Sequence, residues 1–92
     1  MPLTIAYVAA EQTPLMTAEA FRVRVQQSGF AARVVRGEGD EIELEIGDVR
    51  LWLFVEGGFV AEIECEVTFV EDRRSKKLLE LIESMGWMPA EE

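Results

Sequence analysis

The chain of 92 residues is predicted to form a small α+β domain in the order β-α-β-β-β-β-α. Its sheet is mainly antiparallel, with both helices packed on one face and the other face open and acidic. Three observations lead there. Residues 41–46, 49–55 and 59–70 alternate apolar and polar residues at the two-residue period of a strand. Residues 17–28 and 73–85 carry apolar residues at helical spacing, each segment stopped by a glycine. Finally, Glu41, Glu43, Glu45, Glu62, Glu64 and Glu66 occupy alternate positions, which puts all six on the same side of a sheet.

Leu3 to Ala9 alternates Leu3, Ile5 and Tyr7 against Thr4, Ala6 and Val8 and reads as a short strand. A loop through Glu11, Gln12, Thr13 and Pro14 follows. Thr17 caps a helix running to about Ser28 with Ala18, Phe21 and Val25 on one stripe and Gly29 as its stop. Phe21 to Val25 also alternates and fits a strand. The glycine stop and the fresh apolar run after it favour the helix.

Phe30 to Arg36 is the next strand, and Gly37-Glu38-Gly39-Asp40 turns the chain. Glu41–Ile46 and Val49–Val55 flank Gly47-Asp48, a pair suited to a tight hairpin that needs positive φ. Glu56-Gly57-Gly58 leads into the strand from Phe59 to Val70. Asp72 caps a helix from Arg73 to about Met85 with Leu78, Leu81, Ile82 and Met85 facing inward and Gly86 closing it. Trp87 and Met88 are expected to fold back onto the core, and residues 89–92 form a loose end. No linker, repeat or low-complexity stretch divides the chain, so residues 1–92 read as one domain. The place of the first strand in the sheet is left open.

A tight turn at Gly47-Asp48 sets Glu45 opposite Arg50, Glu43 opposite Trp52 and Glu41 opposite Phe54. For the next hairpin, a plain two-residue turn would put Leu53 against Glu62. A three-residue turn instead sets Leu53 on Ala61 and Leu51 on Ile63, so Arg50 faces Glu64 and Trp52 faces Glu62. Pairing Val34 with Leu44 gives one outer row of Arg33, Glu45, Arg50 and Glu64. The neighbouring row of Val35, Glu43, Trp52 and Glu62 then has no base.

The net charge of −9 is concentrated in the middle of the chain. Residues 38–72 hold twelve acids and one base, Arg50, whereas residues 1–37 carry +2 and residues 73–92 balance. Direct binding to a phosphate backbone is opposed by such a field, and a basic partner is favoured. Plain solubility is the alternative use of the charge. No apolar run approaches the roughly 20 residues that cross a bilayer. The N-terminus shows neither the basic patch nor the cleavage site of a signal peptide, so a cytoplasmic protein without a membrane partner is expected.

Chemistry is sparse. The chain has no histidine or asparagine, which removes histidine-based acid–base and nucleophilic systems and the common zinc sites. Both glycine-rich turns lack the lysine and following helix of a phosphate-binding loop. Cys65 is alone and flanked by inward positions, so it reads as a core thiol. Glu43 and Glu62 beside Trp52 would be solvated carboxylates of ordinary acidity, and a cation on Glu62, Glu64 and Glu66 lacks ligands from the loops. The cluster Arg73, Arg74, Lys76 and Lys77 at a helix start either holds an anion or, more simply, neutralises nearby acids.

Size and acidity are shared with immunity proteins, anti-restriction and anti-CRISPR inhibitors and secretion chaperones, with no motif tying the chain to any of them. The expectation is a non-enzymatic binding protein, without cofactor or metal, that inhibits or adapts a partner protein by occupying a basic surface on it. Trp52 and Phe54 would anchor the contact, with Glu43, Glu62, Glu64, Glu66 and Arg50 around them. Alternatively the aromatic pair lies under glutamate stems and does nothing further. A monomer or homodimer is expected, and the runner-up use of the face is as an oligomer interface. A small-ligand or carboxylate enzyme site stands third.

Overall fold

The computed structural model describes residues 3–68 and 71–90. The elements are β1 (Leu3–Ala9), α1 (Ala18–Gln27), β2 (Arg33–Glu38), β3 (Glu41–Ile46), β4 (Val49–Glu56), β5 (Phe59–Val67), α2 (Arg73–Ser84) and β6 (Trp87–Pro89). They form an α+β fold with an antiparallel six-stranded sheet in the order β2-β3-β4-β5-β1-β6. β1 therefore returns to pair with β5. Its parity matches, with Leu3, Ile5 and Tyr7 beside Val67, Cys65 and Ile63 on the inner face. Phe69 and Val70, placed in the last long strand by the sequence, lie outside the described residues.

The inner residues Leu44, Leu51, Leu53, Ile63, Cys65 and Val67 are fully buried and share one cluster with Phe21 and Val25 of α1 and Leu78 and Ile82 of α2. Both helices thus cover the same side of the sheet. Thr17 Oγ1 accepts the Ala20 amide to start α1. At its end Phe30 N–H donates to Val25 and Gly29 N–H to Gln26, a Schellman closure that holds Gly29 at φ +94°. Asp72 caps α2 by accepting from the Arg74 amide.

Two registers differ from expectation, and both differences are bulges. Gly57 and Gly58 form a two-residue turn, with φ of +62° and +88°, so Glu56 faces Phe59 and Val55 faces Val60. Ala61 is then left without a partner, and Phe54 faces Glu62. The extra residue restores inner-to-inner pairing inside the strand, where a longer turn was predicted to do so. Accordingly Leu53 faces Ile63 rather than Ala61, Trp52 faces Glu64 rather than Glu62, and Arg50 faces Glu66 rather than Glu64. In β2, Arg33 and Val34 pair with Glu45 and Leu44 as expected, but the register shifts at Val35 and Arg36 faces Glu43. β2 also begins three residues later than predicted, since Phe30 belongs to the closure of α1.

The loose end assigned from Pro89 starts later than expected. Trp87, Met88 and Pro89 pair with Ala9, Val8 and Tyr7, and the Ala90 amide donates to Ala6 O at 2.7 Å. Thr13 positions this return: its hydroxyl donates to Gly86 O at 2.6 Å and accepts from the Ala10 amide at 2.7 Å. Trp87 is thereby buried in the core. Glu91 and Glu92 lie outside the described residues.

Candidate functional site

The face away from the helices is built from residues of all six strands. The registers arrange them in three rows. The first runs Arg33, Glu45, Arg50, Glu66, Thr4; the second Arg36, Glu43, Trp52, Glu64, Ala6; the third Glu41, Phe54, Glu62, Val8, Met88. None of these side chains belongs to the core cluster, and each is half-buried or exposed. Trp52, Phe54, Glu43, Glu62, Glu64, Glu66 and Arg50 are brought together on this one side.

Charge pairing divides the face. Arg50 places Nη1 3.1 Å from Glu43 and Nη2 3.1 Å from Glu45. Arg33 reaches the other oxygen of Glu45 at 2.8 Å. Hydrogen bonding from Arg33, then its charge, holds the Glu45 carboxyl below its ordinary range; slight desolvation opposes this and Arg50 adds to it. Glu43 and Glu45 of β3 are therefore neutralised by β2 and β4, while Glu41 at the start of the strand makes no ion pair among the described residues. Among the described residues Glu62, Glu64 and Glu66 of β5 make no ion pair, although Glu66 stands opposite Arg50. Each neighbouring strand offers Arg50 one carboxylate directly opposite and one diagonal, and its guanidinium fork spans the β3 pair.

Glu43 accordingly has a different setting from the one its sequence suggested. Only 15% of its side chain is exposed, and with Arg36, Glu38, Glu41 and Trp52 it lines a shallow depression of about 190 Å³. Its carboxylate is committed to Arg50. The three glutamates of β5, which make no ion pair among the described residues, lie two strands further, with Trp52 and Phe54 on one flank and Ala6 and Val8 on the other. Met88 continues the second flank and is 54% exposed. Sequence reasoning missed this second apolar strip because β1 had no assigned neighbour. The alternation of Thr4, Ala6 and Val8, small or apolar on what had to be an outer side, was the available signal.

Both edges of the sheet resist a further strand. β2 carries a bulge and two arginines, Arg33 and Arg36; β6 is three residues long and ends at Pro89. Strand addition is accordingly disfavoured at either side.

Other candidates are occupied with structure. The basic cluster starts α2, where Asp72 already caps the Arg74 amide and the Arg74 guanidinium lies 5.6 Å from the Phe30 ring centroid. Cys65 is fully buried, and desolvation pushes its thiol up to about 12, which keeps it protonated. No group of three acidic or sulfur ligands placed to hold a metal occurs among the described residues. No helix among them is long and apolar enough to cross a membrane.

No family model, curated protein or solved structure matches the chain.

Proposed function

We propose that the protein is a non-enzymatic binding module that occupies a basic surface on a partner protein through the outer face of its sheet. The observation that carries this reading is the asymmetry of charge pairing. A face balanced for stability alone has no need of three successive outward glutamates that make no ion pair among the described residues beside a half-buried tryptophan. Trp52 and Phe54 supply anchoring area, and Glu62, Glu64 and Glu66 supply attraction and orientation. Arg50 has a supporting part, holding Glu43 and Glu45 so that the aromatic pair is framed on its β3 side.

The test is capture of partners from the source cell with wild type and Trp52→Ala in parallel, followed by affinity measurement at several salt concentrations. Loss of the indole is expected to weaken binding by about tenfold or more. Wild-type affinity should fall with salt because solvent-facing charges are screened. Sedimentation on the same preparations separates the homodimer reading, which requires a salt-resistant dimer at micromolar concentration.

A further inference from the structure

We infer that the partner element received by this face is a basic amphipathic α-helix, lying obliquely along β5; the inference rests on the binding reading above and specifies the occupant. Charge complementarity sets the sign of the partner, and the apolar strips on either side of the glutamates set its amphipathic character. Val8 and Met88, 39% and 54% exposed, make the second strip more accessible than the half-buried aromatic one.

Spacing alone admits two occupants. Successive outward residues of β5 lie about 6.5 Å apart, which matches alternate residues of an extended segment. It also matches residues four apart on a helix, about 6 Å along the axis and slightly more along the inclined i, i+4 row. Backbone hydrogen bonding distinguishes them. An extended segment laid on a field of side chains leaves its amide and carbonyl groups unpaired once water is excluded. The usual remedy, joining a sheet edge, is opposed here by the bulged, arginine-bearing β2 and the short, proline-ended β6. A helix satisfies its own backbone and needs only side-chain partners. Lysines or arginines at i, i+4 and i+8 then stand over Glu62, Glu64 and Glu66, while apolar residues on both shoulders meet Trp52 and Phe54 on one side and Ala6, Val8 and Met88 on the other.

Two synthetic probes of identical composition test this. The first places lysine at every fourth position with leucine and alanine between, in a peptide of about 18 residues, long enough to form a helix on contact. The second rearranges the same residues so that its lysines alternate with apolar residues over one central stretch, with the remaining leucines and alanines on either side. Titration of labelled peptide is read by anisotropy, and peptide structure by circular dichroism. The helical design is expected to bind at least about tenfold more tightly (roughly 1.4 kcal/mol), to gain helicity on binding, and to lose affinity with Glu62→Gln and Glu64→Gln combined. Equal or tighter binding of the alternating peptide overturns the helix inference and leaves the basic-partner reading standing. Failure of both peptides to bind at low salt overturns both.

Discussion

Arg50 lies 3.1 Å from Glu43, a residue diagonal to it across the β3–β4 pair, and not on Glu66, its direct neighbour in β5. This one choice of partner leaves Glu43 and Glu45 paired and Glu62, Glu64 and Glu66 without an ion pair among the described residues. Removing the base should therefore have a stability effect that removing a β5 acid does not. Arg50→Gln is expected to lower unfolding free energy by about 0.5–1 kcal/mol, with a smaller loss at high salt. Glu64→Gln, between two like charges on its own strand, should be neutral or slightly stabilising. Urea denaturation of the two variants at low and high salt makes the comparison, and a larger loss from Glu64→Gln would reverse the assignment.

The turn into β6 depends on close approach as well as on backbone conformation. Gly86 has φ +99°, and a Cβ there would meet Thr13 Cα at 3.1 Å, whereas Gly47 has φ +60° with open space around it. Gly47→Ala is expected to cost about 1–2 kcal/mol from the left-handed backbone alone. Gly86→Ala should cost more, since the neighbour is backbone that cannot turn aside. Thermal unfolding of both variants measures the difference.

β6 holds the core by one residue. Trp87→Ala should destabilise by about 3–5 kcal/mol, the range for truncating a large buried aromatic. Met88→Lys, on the opposite side of the same strand, should change stability by less than about 0.5 kcal/mol. Hydrogen exchange should show the Ala90 amide protected in wild type, through its bond to Ala6, and exposed in Trp87→Ala.

Alkaline pH should unfold the protein through its core. Desolvation, followed by the nearby charges of Glu83 and Cys65, pushes the Tyr7 hydroxyl up to about 12 from an ordinary value of 10.0. Burial likewise moves the Cys65 thiol from 9.0 to about 12. Both groups are neutral when protonated, so the unfolded chain releases its protons first. Stability is then complete below about pH 9 and falls as pH rises toward 12. Tyr7→Phe should retain more of its stability between pH 10 and 12. An identical alkaline midpoint in wild type and Tyr7→Phe would exclude the tyrosine as a contributor.

Much of the fold was legible because alternation is a local signal. The pairings of Glu45 with Arg50, Glu43 with Trp52 and Glu41 with Phe54 follow from the Gly47-Asp48 turn, and the structure has all three. What was hidden depends on events away from the pattern. A bulge at Ala61 shifts the neighbours of Trp52 and Arg50 by two residues and turns Val60 inward and Phe59 outward, while the side chains of Glu62 to Val67 keep their expected sides. Parity survived because burial enforces it, and register did not because a turn and a bulge can satisfy burial equally. β6 is three residues long, below the length at which a period can be read, and its strand identity comes from pairing with β1 and the Thr13–Gly86 bond. The unequal sharing of the acids was likewise invisible, since a sequence shows that Arg50 has acids on both sides but not which pair its guanidinium will reach.

The most direct measurement is the affinity of a captured partner for wild type and for the double variant Glu62→Lys and Glu64→Lys, with circular dichroism showing the fold intact in both. Reversal should weaken binding at least about tenfold at low salt, with the two affinities converging as salt is raised. Equal affinity across the whole salt range would contradict recognition through the unpaired glutamates of β5.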